Sequence, residues 1–175
     1  MSLSLAELLE EYDAAQAWSL ALVVGLTPEQ IAWRPHENSS AIAWHLGHQG
    51  AVNHYMVRNV IAAEPSFAPD LDAVFDSATP EPDRDGLPSL DEIVEYRRNI
   101  GSSTRATIER IERGEVGAPD QLRLIADGLL RAVINHEYQH AKWIGEVRDS
   151  WLTHPQPYPF SQRLDVVEGY FMVAS

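Results

Sequence analysis

The chain is predicted to be all-α, a four-helix bundle with a long crossover between helices 2 and 3. Three observations predict it. Apolar residues recur at three- and four-residue steps through four long segments. A connection rich in proline and aspartate, residues 64–88, separates the second segment from the third. Nothing before residue 120 reads as a series of alternating strands. At 175 residues with 45% hydrophobic content, one globular domain with a substantial core is the simplest organisation.

The first helix is expected from about Ser4 to Gly25, with Leu5, Leu8, Leu9, Tyr12, Ala15, Trp18, Ser19 and Leu22 in helical register. Thr27-Pro28-Glu29-Gln30 reads as a cap and first turn of a short helix. The second long helix follows Ser39-Ser40 and runs to about Ala63. The third follows Ser89, whose spacing to Glu92 is a capping-box signature, and continues through Ile93, Ile100, Thr104, Ile108 and Ile111 to a stop at Gly114. The fourth runs from about Asp120 to Trp151. The crossover holds five prolines and Asp70, Asp72, Asp76, Glu81, Asp83 and Asp85, with a short helical turn expected at Asp72 to Asp76. Residues 1–152 form the expected bundle and 153–175 an aromatic, proline-rich tail that packs on it or at a dimer interface.

Composition narrows the chemistry. With no cysteine, a metal must be held by histidine or carboxylate, and any thiol must come from a second molecule. A net charge of −13 opposes nonspecific nucleic-acid binding. The first thirteen residues carry Glu7, Glu10, Glu11 and Asp13 and no Lys or Arg, the reverse of an export signal. The apolar stretch from Ala14 to Leu26 is too short to span a bilayer. A cytoplasmic protein without membrane contact is the expectation.

His136 and His140 lie four residues apart, so on a helix both imidazoles project from one face. They share an arc with Ile125, Leu129, Ala132, Trp143 and Val147, which places them on the expected core stripe. Two imidazoles buried among apolar residues are costly unless satisfied, and a shared metal satisfies both. On the second helix His48 sits at the centre of an arc with Ala41, Trp44, Val52, Tyr55 and Asn59. It is the expected third ligand, with His45, about 60° away, as fallback ligand or outer partner. His54 is expected on the opposite face in solvent. His36 and His154 lie in loop-like contexts and carry no role. Three protein ligands leave a position open on a divalent metal, which is the pattern of a catalytic site.

The run Ser40-Ala41-Ile42-Ala43-Trp44 leading to His48, followed far downstream by His136-Glu137-Tyr138-Gln139-His140, resembles the two motifs of the DinB-like family. The resemblance covers most of residues 1–152 and implies a four-helix bundle binding one metal through His48, His136 and His140. It further implies transfer of a low-molecular-weight thiol to a small electrophile, zinc, nickel or iron as cofactor, and a homodimer. Two alternatives remain. His136-Glu137-x-x-His140 also matches the HExxH pattern of zinc hydrolases, with Glu137 as general base and Glu146 or Glu168 as third ligand. Against it, Trp143 and Glu146 stand where the metzincin extension needs glycine and histidine, and Glu137 reads as a bundle-edge or surface carboxylate. The second alternative is a metal-binding module without catalysis.

Overall fold

The computed structural model describes residues 3–80, 84–115, 120–152 and 156–174, with the backbone alone for 120–124. Glu81, Asp83 and His154 lie outside the described residues. In chain order the elements are α1 (Leu5–Leu22), α2 (Pro28–Ala32) and α3 (Ile42–Asn53), which continues as a π-helical segment (His54–Ile61). Then come α4 (Pro69–Val74), α5 (Leu90–Glu112), α6 (Asp120–Asp149), β1 (Leu164–Val167) and β2 (Tyr170–Val173).

Local chemistry sets the ends of these helices. Ser4, Thr27 and Ser89 each close a capping box with Glu7, Gln30 and Glu92, satisfying backbone N–H groups that a helix start otherwise leaves bare. Each such cap contributes about 1 kcal/mol. Gly114, at φ +70°, follows α5 in the left-handed conformation that stops a helix.

The four long helices pack on one another: α1 lies against α5 and α6, and α3 against the same two. Between them are buried Leu8, Tyr12, Leu46, Ile100, Ile134 and Tyr138. Each such side chain contributes about 1.5–3 kcal/mol on leaving water.

Three expectations about helix faces need correction. His54 is buried, not solvated, and its Nδ1 lies 3.0 Å from Asp72 Oδ1 of α4. The connection folds back over that side of the helix and covers it. Second, Tyr55 is 60% exposed and Asn59 is not in the core, whereas Val57 and Ile61 are buried. The arc centred on His48 is not the middle of the core-facing stripe. Leu46, Gln49, Asn53 and Val57 hold that middle, about 140° further round. From His54 onward the wider π turn, seen in the Ala62 N–H to Val57 carbonyl bond, shifts the phase again. Third, α6 is rotated in the same sense. Ile125 is 48% exposed, while Leu130, Ile134, Glu137, Tyr138 and Ala141 face inward. The mostly helical architecture agrees with the expected all-α class, to which the tail adds one small two-stranded sheet.

In the tail β1 and β2 pair antiparallel, with Val166 opposite Phe171 and Val167 opposite Tyr170. Glu168 and Gly169 both have positive φ, which matches the right-handed twist of a two-residue hairpin. β2 packs on α6: Val173 is buried and its N–H donates to Asn135 Oδ1 at 2.9 Å. Phe171 meets the Trp18 ring edge-on at 5.6 Å, and Trp18 Nε1 donates to the Pro157 carbonyl at 2.7 Å. The short helix in the connection also begins earlier than expected, at Pro69 instead of Asp72.

Candidate metal centre

His48 comes from α3, and His136 and His140 from successive turns of α6. Their candidate ligand nitrogens lie within 4.8 Å of one another, close enough to hold one metal ion. Among the described residues no carboxylate joins this group of three, and the chain has no cysteine. Both helices present the histidines off the core centre, towards the packed connection, so the group sits at the boundary between core and cleft.

His48 is the most firmly held. Its Nδ1 lies 2.8 Å from the Phe75 carbonyl, which can only accept, so Nδ1 carries the proton and Nε2 keeps its lone pair. That is the tautomer a metal requires, fixed by an outer partner. The ring also stacks on Trp44 at 4.4 Å, with 13° between planes. Arg84, from the connection, places its guanidinium 3.6 Å from the Trp44 ring centre and donates to Ser40 Oγ at 2.8 Å. The run from Ser40 to His48 is thus organised as one unit: Ser40 and Trp44 receive Arg84, and Trp44 backs His48.

Phe75 is fully buried and lies directly over Gly47, where any Cβ would overlap its ring. This close approach explains a glycine beside His48. Gly47→Ala is expected to push Phe75 outward, free His48 Nδ1, and weaken metal binding about 10–100-fold, as loss of an outer partner does. Chelator competition on the two proteins checks this, and unchanged affinity would dissociate Phe75 from the site.

His45 is not one of the group of three. Its Nδ1 lies 2.9 Å from His140 Nδ1, so one donates to the other, and His45 takes the outer place that its position on α3 allowed. All four imidazoles favour the neutral form. Burial, reinforced by His48, brings His45 and His136 down to about 3. Burial likewise lowers His140, and it lowers His48 despite the opposing Phe75 carbonyl. Neutral nitrogens at pH 7 are what a cation needs.

A cavity of about 380 Å³, lined by His48, Val52, Tyr55, Asp72 and Asp76, opens on one side. Another of about 580 Å³, lined by His45, His140, Trp143, Arg84 and Ser39, opens on a second. Val52 and Tyr55, expected in the core, instead form a wall of the first cavity.

The largest departure from the expected site is Glu137. It is fully buried and receives two hydrogen bonds from Arg97, each 2.9 Å, rather than lying at an edge or surface. A general base must reach water beside the metal. Here both carboxylate oxygens are committed to Arg97 in the helix interior, so the geometry opposes the HExxH mechanism. Glu146 and Glu168 do not join the histidine group: Glu146 is exposed beside Lys142, and Glu168 occupies the exposed hairpin turn. Arg97, Phe75 and Arg84 were not identified from the sequence. Arg97 carried a signal, since it falls four residues after Ile93 on the inward face of α5 and a buried guanidinium demands a buried anion. A backbone carbonyl such as that of Phe75 leaves no such trace.

Fold and site together define a mostly helical protein with three converging imidazoles from two long helices. A family model described as the DinB superfamily matches residues 3–144, and the chain belongs to that superfamily. Comparison with curated proteins finds no match. The hairpin lies beyond the matched residues.

Proposed function

We propose that this is a DinB-type metal-dependent enzyme, a four-helix bundle whose crossover is the connection from α3 to α5. It transfers a low-molecular-weight thiol to a small electrophile. The observation that carries the reading is the convergence of His48, His136 and His140, neutral and buried or half-buried, with His48 held in the ligating tautomer. The donor set fits a divalent cation: three imidazoles suit zinc first, with nickel and iron as substitutes. A cation held there lowers the pKa of a thiol or water beside it, supplying a nucleophile near neutral pH.

The chain's own groups do the rest. His45 orients His140, the Phe75 carbonyl and Trp44 orient His48, and the two cavities admit small molecules from different sides. The absence of cysteine makes the thiol a co-substrate. Glu137, tied to Arg97, takes no proton in the reaction.

Elemental analysis of purified protein, followed by a thiol panel with a chromogenic alkylating electrophile, tests this. Near-stoichiometric metal and metal-dependent loss of free thiol are expected. Metal without turnover across the panel would leave a binding module. No bound metal would remove the reading altogether.

The proposed partners are small molecules and a second copy of this chain, not nucleic acid, and the proposed location is the cytoplasm. Among the described residues no helix is long and apolar enough to cross a membrane. Support for a homodimer comes from Tyr158, Phe160, Val166 and Val167, which stay exposed although β2 covers part of α6. Sedimentation of the full chain should give twice the 19.6 kDa monomer mass, and a monomer at micromolar concentration would end that proposal.

A further inference from the structure

The residue after His48 is Gln49, and the residue after His136 is Glu137; both are fully buried. One step along a helix turns about 100°, so each helix carries a histidine towards the site and a polar group towards the centre. There the two polar groups meet. Gln49 Nε2 donates to the Glu137 carbonyl at 2.7 Å and to Ser19 Oγ at 2.9 Å. The Glu137 carboxylate lies 3.4 Å from the same Ser19 hydroxyl and takes both hydrogen bonds from Arg97. One connected set of bonds therefore joins α1, α3, α5 and α6 at the level of the histidines.

Burial works against the Arg97 charge, and the facing carboxylate outweighs it. Arg97 Nε and Gln49 Oε1 have no hydrogen-bond partner among the described residues. Apolar residues of similar volume at a buried ion pair often match or exceed its stability. Stability alone is therefore a weak reason for the pair to be here. What apolar side chains lack is direction: they slide, whereas a two-bond fork and an amide fix the rotation of each helix about its axis.

We propose that Gln49, Arg97 and Glu137 are positioning residues for the histidine group, setting the rotation of α3 against α6 so that His48 meets His136 and His140. The inference rests on the metal-binding reading above. None of the three belongs to the histidine group: Gln49 and Glu137 act through the histidine before each, and Arg97 acts through Glu137.

The test compares the wild type with R97M/E137L, Q49M and, as a control at a half-buried ion pair outside this set of bonds, R110M, which removes the Arg110–Glu64 contact. Zinc affinity is read by competition with a chromogenic chelator. Thermal melting and imidazole ¹H–¹⁵N spectra are recorded without metal. R97M/E137L should melt cooperatively near the wild-type temperature yet bind zinc at least about tenfold more weakly, within the range of other outer partners. Its His48 and His136 imidazole signals should move while that of His36 stays. Q49M should lose several-fold in affinity, and R110M none. Q49M removes no charge, so it decides the matter even where the double variant fails to fold.

A folded R97M/E137L or Q49M protein with wild-type affinity overturns the inference and leaves the metal reading standing. A merely structural role would shift melting and leave affinity unchanged, which also overturns it. Wild-type protein that binds no zinc, nickel or iron overturns both.

Discussion

Alanine at His48, His136 or His140 is expected to remove metal binding, with a loss larger than the roughly 10–100-fold typical of an outer partner. The metal-free fold should survive each change. These side chains sit off the core centre, and an alanine methyl replaces a polar ring whose burial is costly wherever its nitrogens lack partners. His45→Ala should behave differently. It leaves His140 without its Nδ1 partner but removes none of the three converging nitrogens, so affinity should fall only within the outer-partner range. Chelator competition on the four variants separates them. If His45→Ala abolishes binding and His48→Ala does not, the assignment on α3 is wrong. If no variant changes occupancy, the cluster is not a metal site.

The same contrast shows how far the sequence could be read. Helix positions followed from caps and periodicity because these are local: Ser4, Thr27 and Ser89 signal their own helix starts. The histidine group was legible because His136 and His140 share a helix face by geometry, and His48 lies in a second motif that resembles the same family. The rotation of each helix was not legible. Apolar residues on α3 and α6 cover more than half the circumference, so a wheel alone cannot distinguish the core centre from the cleft wall. Tyr55 and Ile125 lie on the solvent side of that line although their wheel positions predict the core, and Glu137 lies at the centre although its position predicts the edge. What fixes the rotation is a set of long-range polar contacts, the first of them between residues 97 and 137. The tail hairpin was missed for a related reason. Four-residue strands carry little periodic signal, and the Glu168-Gly169 turn was the one local mark of pairing.

Breaking one side of the buried pair should have the largest effect on stability. Arg97→Met leaves the Glu137 carboxylate fully buried, with the Ser19 hydroxyl at 3.4 Å as its remaining polar contact. Leaving one buried ion uncompensated typically costs about 3–5 kcal/mol. Against a total stability of about 5–15 kcal/mol, that is enough to bring the protein close to unfolding at growth temperature. Urea denaturation of metal-free protein measures the loss without interference from binding at the histidines. Adding Glu137→Leu to Arg97→Met should recover most of it, because the second change removes the orphaned charge rather than restoring a bond. Non-additivity of that kind is expected for residues in direct contact and would not arise if either acted alone. A single Arg97→Met variant within about 1 kcal/mol of wild type would mean that the carboxylate finds another partner, and the fork from Arg97 would then not be what holds Glu137.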